Sequence, residues 1–141
     1  MSGFLLDTNI ISELVARRPE PRVRAWIEGT DEMLLHLSVL TLGEIRKGIA
    51  SLRDSSRRAA LGGWLDSELK VRFANRILAV DEAIAGRWGR LTAQREAANS
   101  RLSVIDGLLA ATALQYNLTL VTRNVKDVAA TGVPLFNPWS A

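Results

Sequence analysis

The sequence predicts an α/β domain with a short parallel sheet of four to five strands and helices on both faces. One observation is that short apolar runs alternate with longer segments of helical periodicity, the pattern of β–α–β units. A second is that the apolar runs are continuous rather than alternating, as expected for parallel strands buried on both faces. The candidate strands are Phe4–Leu6, Leu34–Leu37, Ile77–Val80, Thr119–Thr122 and, less clearly marked, Pro134–Phe136.

The segments between these strands are predicted to be helical. In the third predicted helix, around residues 42–52, Leu42, Ile45 and Ile49 recur at intervals of three and four residues. The pair Gly62-Gly63 should bend or divide the fourth predicted helix, Ser55–Val71, because glycine weakens a helix interior. The predicted helices are Asn9–Ala16, Pro21–Glu28 closed by Gly29, a segment around 42–52, Ser55–Val71, Glu82–Ala98, Val104–Gln115 and Asn124–Ala130.

Length and composition predict one globular domain over residues 1–141. Hydrophobic residues make up 48% and charged residues 23% of the chain, which excludes a disordered protein. No apolar run approaches the roughly 18 residues that a membrane span needs, and no basic region precedes the apolar N-terminal stretch as in a signal peptide. We therefore expect a cytoplasmic protein without a membrane partner.

The chain contains no cysteine and a single histidine, His36. Disulfides, thiolate zinc sites and cysteine nucleophiles are excluded by this composition. His36 lies within the apolar run Leu34–Leu37, which favours a structural role over a catalytic one. Any chemistry must therefore depend on carboxylates, hydroxyls or amides.

Three acidic residues lie at positions suited to a shared site. Asp7 directly follows the first strand, and ligands of open α/β sheets bind at the carboxyl ends of the strands. Glu44 and Asp106 lie near the starts of later helices. Each also has a structural explanation: Asp7 could be a helix N-cap, and Thr41–Glu44 and Ser103–Asp106 both match the capping-box pattern. From the local sequence alone, both explanations stay open.

The surroundings of Asp106 favour a bound cation. The helix that follows it, Gly107–Leu114, has almost no polar surface, so an ionised carboxylate there is costly unless it is neutralised. Gly43 and Gly107, next to Glu44 and Asp106, leave room for close approach. Oxygen ligands alone select Mg²⁺ or Mn²⁺, and the chemistry expected of such an ion is phosphodiester hydrolysis. A net charge of +3 and a pI of about 9.9 suit a polyanionic substrate.

Five segments, in order along the chain, resemble those of PIN-domain ribonucleases, specifically toxins of the VapC and FitB type. The first opens the chain and contains Asp7, the second contains Glu44, and the third contains Asp106. The segments are Leu5–Glu13, Leu42–Ile49, Ile105–Ala113, Leu120–Asn124 and Phe136–Trp139. Together they extend over almost the whole chain.

The resemblance implies a PIN-like fold and a metal-dependent endoribonuclease that acts on RNA. It implies that Asp7, Glu44 and Asp106 form the acidic site and hold Mg²⁺ or Mn²⁺, with Asp7 and Asp106 as direct ligands. Family members often carry a fourth acid where this chain has Asn124, so a second ion should bind more weakly. Asp127 either compensates for Asn124 or caps the last helix, and we favour the cap.

The resemblance also implies protein partners: a small cognate antitoxin of the VapB or FitA type and a second copy of the chain. Trp64 and Leu65 are candidates for part of the dimer interface. The basic side chains nearest the acids, Arg46, Lys47 and Arg123, are candidate phosphate contacts.

Two other functions are considered. In one, the chain is a non-catalytic or weakly catalytic partner in an antitoxin-dependent complex that binds DNA, and the neutral Asn124 gives this alternative some support. In the other, Asp7 is the nucleophile of a phosphatase or a phospho-acceptor. That alternative is disfavoured, because Asn9 occupies the place of the second aspartate that such phosphatases need.

Overall fold

The structure, a computed structural model, describes residues 2–140 and is built on a five-stranded sheet in which every neighbouring pair is parallel. The strands lie in the order β3-β2-β1-β4-β5, so the central strand is the first along the chain. Their bounds are Phe4–Leu6 (β1), Leu35–Ser38 (β2), Ile77–Leu78 (β3), Thr119–Val121 (β4) and Leu135–Phe136 (β5). The predicted fold class and all five strands are confirmed, with ends that shift by one or two residues.

Eight α-helices connect or follow the strands in the part of the chain that the structure describes. Short 3₁₀ turns at Glu32–Leu34, Ala129–Thr131 and Pro138–Ser140 were not predicted. The helices are Thr8–Ser12 (α1), Pro21–Gly29 (α2), Val39–Ala50 (α3), Ser55–Trp64 (α4), Lys70–Arg72 (α5), Glu82–Ala97 (α6), Val104–Gln115 (α7) and Val125–Val128 (α8). Within residues 2–140, none is long and apolar enough to cross a membrane.

Helices cover both faces of the sheet, because successive side chains along a strand point to opposite sides. Leu6 and Val121 pack into a core with apolar residues of α1, α2 and α3 and of the segment around residue 70. Leu5 and Leu120, one position earlier on the same strands, pack into a second core with α6, α7 and α8. These side chains are at most 1% exposed, which explains why the strands read as continuous apolar runs.

Two predicted helices differ from the structure. α1 ends at Ser12 rather than Ala16, because the backbone N–H groups of Glu13, Leu14 and Val15 bond to carbonyls three residues back and tighten the chain. α4 continues through Gly62-Gly63 to Trp64, so these glycines do not divide it. The irregularity is instead a π-helical segment at Leu65–Leu69. Leu65 and Leu69, at the two ends of this segment, are both buried.

A candidate active site at the carboxyl edge of the sheet

The strand order creates a crevice next to β1. The chain adds β2 and β3 on one side of β1 and then crosses to add β4 and β5 on the other. Ligands of open α/β sheets bind at such a switch point, outside the carboxyl ends of the strands. Asp7 directly follows β1 and Thr122 directly follows β4, so both lie at this point.

Asp7 is a buried carboxylate held by three neighbours. Its Oδ1 accepts the backbone N–H of Thr8 at 2.7 Å, which makes it the N-cap of α1, as the structural explanation proposed. Its Oδ2 accepts the Thr122 hydroxyl at 2.8 Å and, more weakly, the Asn9 amide at 3.5 Å. Asp7 is only 6% exposed, and this burial raises its pKa above the usual value. The Thr122 and Thr8 hydrogen bonds oppose the rise in pKa, and the charge on Glu44 adds to it.

Glu44 is not part of a capping box, so the structural explanation offered for it is wrong. α3 begins at Val39, because the Ser38 hydroxyl accepts the backbone N–H of Leu40 at 3.0 Å and caps the helix earlier than expected. Glu44 therefore lies in the second turn of α3. Its Oε1 accepts a short hydrogen bond from the Thr8 hydroxyl. Thr8 thus joins the elements that carry Asp7 and Glu44.

Asp106 lies both in a capped helix start and in an acidic site, the two explanations that the sequence left open. Its backbone N–H donates to the Ser103 hydroxyl at 3.1 Å, so Ser103 caps α7 as the capping-box pattern predicts. Its carboxylate is half-buried, and burial raises its pKa. The charges of Asp7 and Asp127 raise this pKa further, while the Ser103 hydroxyl lowers it. The side chain of Asp106 therefore lies among other carboxylates.

Asn124 is connected to the same cluster through Thr122. Its backbone N–H donates to the Thr122 hydroxyl at 3.0 Å, and that hydroxyl in turn donates to Asp7. No side-chain hydrogen bond caps α8, so the capping role favoured for Asp127 is not seen. Asp127 is instead close enough to Asp106 for its charge to raise the pKa of that residue.

All four predicted site residues line one open cavity of about 520 Å³, which we call the acidic pocket. Its lining residues are Asp7, Thr8, Asn9, Ser12, Glu44, Ser103, Ile105, Asp106 and Asn124. Within residues 2–140, however, no three Asp, Glu or His side chains are arranged to hold one metal ion among them. The acids meet in one pocket, but they do not form a finished three-ligand cage.

The oxygen donors of the acidic pocket nevertheless fit a hard cation. Burial, and to a smaller extent the charges of neighbouring acids, raises the pKa values of Asp7 and Asp106, and a bound cation relieves such a cost. Mg²⁺ also needs only one or two protein carboxylates, because it retains waters and takes phosphate oxygens. A preformed cage is therefore not required.

Sequence reasoning missed the hydroxyls that organise the acids. Thr122 donates to Asp7, and Thr8 donates to Glu44. The signal for Thr122 is its position: it follows β4 as Asp7 follows β1, and the two strands are neighbours in register. That signal depends on strand order, which periodicity does not provide.

The structure contradicts the roles predicted for Gly107 and Leu65, and it gives protein partners to two candidate phosphate contacts, Arg46 and Arg123. Gly107 makes room for the Trp88 indole, 3.0 Å from where its Cβ would be, rather than for a ligand. The Arg46 guanidinium pairs with Asp66 at 2.6 Å, and that of Arg123 lies over the Trp139 ring at 5.3 Å. Leu65 is 1% exposed in the core, so it is not available for a dimer interface.

His36 has the structural surroundings that the sequence predicts. Its Nδ1 lies 3.0 Å from the carbonyl oxygen of Leu34 on the same chain segment. It is not among the residues that line the acidic pocket.

The fold and pocket define a class of protein, the parallel α/β domain with a carboxylate cluster at its switch point. The sequence profile of the PIN domain matches residues 4–130. The chain belongs to the PIN domain family.

Named relatives extend over nearly the whole chain. Toxin FitB of Neisseria gonorrhoeae (strain ATCC 700825 / FA 1090) is 36% identical over 136 residues, which cover 96% of this chain and 98% of FitB. VapC ribonuclease Y4jK of Sinorhizobium fredii (strain NBRC 101917 / NGR234) is 33% identical, with 96% and 97% covered. A solved structure of FitAB bound to an IR36 DNA fragment matches with a TM-score of 0.91 and 34% identity, covering 96% of this chain and 95% of that one.

Proposed function

We propose that the protein is a divalent-metal-dependent endoribonuclease and the toxin of a type II toxin–antitoxin pair. The observation that carries the proposal is the convergence of Asp7, Glu44, Asp106 and Asn124 on one open pocket at the switch point. The names of two relatives, a toxin and a VapC ribonuclease, support the activity and the biological role. An RNA substrate in turn implies action in the cytoplasm.

The residues that would hold Mg²⁺ or Mn²⁺ are Asp7, Glu44 and Asp106. When bound, the ion supplies activation of water and stabilisation of the charge that develops on the scissile phosphate. The pocket is open enough to admit a phosphodiester.

The chain's own residues contribute orientation and charge. Thr122 and Thr8 donate to the two carboxylate oxygens of Asp7 and fix its direction, while Thr8 also restrains Glu44. Asn124 offers an amide in place of a fourth acid. Because an amide N–H donates, Asn124 can hydrogen-bond a phosphate oxygen, which a carboxylate would repel.

The partners follow from the same proposal. A small antitoxin of the VapB or FitA type would hold the enzyme inactive, in line with the FitAB complex of a relative. A homodimer remains a prediction, to be measured by light scattering on the purified chain.

Cleavage by single-residue variants tests the proposal. The purified chain should cut labelled single-stranded RNA in Mg²⁺ or Mn²⁺ and not in EDTA. Asp7→Asn and Asp106→Asn should each reduce the rate by about 100-fold or more, because each removes a charge from the proposed ion.

The matched control for this experiment is Glu28→Gln, which neutralises an acid on an exposed helix face outside the acidic pocket. It should cut like the parent. Equal cleavage by the parent and both aspartate variants, each purified in the same way, would contradict the proposal.

A second candidate is a non-catalytic partner in an antitoxin-dependent complex that binds DNA. Two observations favour it: Asn124 supplies no negative charge to the pocket, and the relative FitAB has been solved bound to DNA. Operator binding together with the antitoxin, without RNA cleavage in any divalent metal, would support this candidate over the first.

A further inference from the structure

A second cavity, of about 370 Å³, lies between α6, the end of α7 and the turn Ala129–Thr131. We call it the arginine pocket. It shares no lining residue with the acidic pocket. The two pockets are separated along α7, because Asp106 lines the first and Leu114, eight residues or roughly 12 Å further along the helix axis, lines the second. It is lined by Arg87, Arg90, Leu91, Gln94, Leu114 and Thr131.

The charge of the arginine pocket is unbalanced. Arg87 and Arg90 both line it, and no carboxylate does. Neither arginine forms an ion pair within residues 2–140, so no carboxylate offsets their charges. Two like charges in one cavity repel each other, and a bound anion would remove that cost.

Of the two guanidinium groups, only that of Arg87 is held by a hydrogen bond within residues 2–140, and Arg90 is exposed. Arg87 donates from Nε to Oε1 of Gln115 at 3.2 Å, which leaves its terminal N–H groups available. Arg90 folds back over the helix, with Nη1 3.6 Å from where a Cβ of Gly86 would be. Guanidinium groups with free terminal N–H donors match the geometry of phosphate oxygens.

The acidic pocket gives a reason for a cationic contact elsewhere on the surface. Asp7, Glu44 and Asp106 repel phosphates, and Arg46, one of the basic residues expected beside them, is paired with Asp66. Further positive charges would therefore add to the binding free energy of a polyanion. The arginine pocket offers two such charges beside the apolar side chains of Leu91 and Leu114.

We propose that the arginine pocket binds a backbone phosphate of the RNA strand, away from the bond that is cut. The inference rests on the proposed function for the identity of the polyanion. Because phosphates carry no base identity, the contact holds and positions the strand without selecting its sequence.

Binding of short single-stranded RNA tests the inference. Asp7→Asn serves as the parent so that the RNA stays intact, and the double variant Arg87→Gln/Arg90→Gln is made in it. At low salt the double variant should bind about tenfold more weakly, equally for oligo(U) and oligo(A). The slope of log K against log salt should fall by about 0.7, since one neutralised phosphate contributes about 0.7 on a single strand.

The matched control is Arg22→Gln/Arg24→Gln, which removes two exposed arginines that pair with Glu20 and Glu28 on or beside α2. It should keep the affinity of the parent. A lysine pair, Arg87→Lys/Arg90→Lys, should keep the salt slope, because it retains the charge. Circular dichroism checks that each variant is folded.

Three outcomes would overturn the inference: no RNA binding by the Asp7→Asn parent, an unchanged affinity and salt slope in the glutamine pair, or an equal loss in the α2 control. The cleavage experiment separates this inference from the proposed function. If RNA binding depends on Arg87 and Arg90 but the chain cuts no RNA, the arginine pocket is supported as a phosphate site and the proposed nuclease activity is contradicted.

Discussion

Asp7 shows how the requirements of a site oppose those of stability. A buried carboxylate whose pKa is raised in the folded protein is disfavoured in its charged form. The contribution of such a group to stability is fully present below its unfolded pKa and is lost as the pH rises through the folded pKa. At neutral pH the charged Asp7 is therefore a local cost, which a bound cation would offset.

We therefore expect Asp7→Asn to stabilise the metal-free protein at pH 7, because asparagine cannot ionise and still accepts the Thr8 N–H. The melting temperature should rise by about 2–4 °C at pH 7, and the difference should vanish near pH 3, where the parent is protonated. Calorimetry at both values measures this. Glu28→Gln, at an exposed position, is the control. An asparagine variant that melts lower than the parent at pH 7 would contradict the interpretation.

At the same scale, the sequence identified the acids but not what holds them. Asp7, Asp106 and Glu44 were found because carboxylates near strand and helix ends are visible in a single sequence. Thr8 and Thr122 were not, because a threonine becomes a partner of an acid only when another element brings the two together. For Glu44 the local pattern was misleading, since Ser38 rather than Thr41 caps α3.

Among the helices, the contact between α6 and α7 sets the position of Asp106. Gly107 lies against Trp88, whose indole atoms are 3.0 Å from the place of a Cβ. Gly43, next to Glu44 on α3, has nothing within 4 Å of that place. In the sequence both glycines are neighbours of a site acid, but in the structure only Gly107 has another side chain close to the place of a Cβ.

Alanine at these two glycines should therefore act in opposite directions. Gly107→Ala should destabilise the protein by about 1–3 kcal/mol, because the indole must move. Gly43→Ala should stabilise it by up to about 1 kcal/mol, because alanine favours the helix and meets no neighbour. Urea denaturation measures both, and each variant serves as the control for the other. A change of the same sign in both would contradict the assignment of Gly107 to packing.

The elements themselves were predictable to the extent that apolar periodicity defines them. α7 was predicted with its observed bounds because its apolar stretch is bounded by Ser103 and by polar residues after Gln115. The π segment at Leu65–Leu69 was not predicted, because its apolar residues, four apart, have the spacing of an ordinary α-helix.

At the scale of the whole molecule, the strand order brings acids that are distant in the sequence to one pocket. β1 lies between β2 and β4, so residues that follow β1 and β4 meet, although they are far apart in the sequence. The periodicity of a single sequence reveals strands but not their neighbours. The resemblance to a known family supplied the arrangement that the residues alone left open.

If the acidic pocket holds an ion, the ion should stabilise the whole fold by mass action. Mg²⁺ or Mn²⁺ at about 100 times its dissociation constant should add about 2.7 kcal/mol, observed as a higher melting temperature. Asp7→Asn and Asp106→Asn should lose most of this shift, whereas Glu28→Gln should keep it. Equal shifts in all four proteins would mean that the ion binds elsewhere.

The hydrogen bond between Thr122 and Asp7 joins residues 115 positions apart. During synthesis on a ribosome, a nascent chain that stops short of β4 lacks the strand that flanks β1 and the hydroxyl that fixes Asp7. The proposed site can therefore assemble only after the ribosome has passed Thr122, and a product that stops before β4 lacks it.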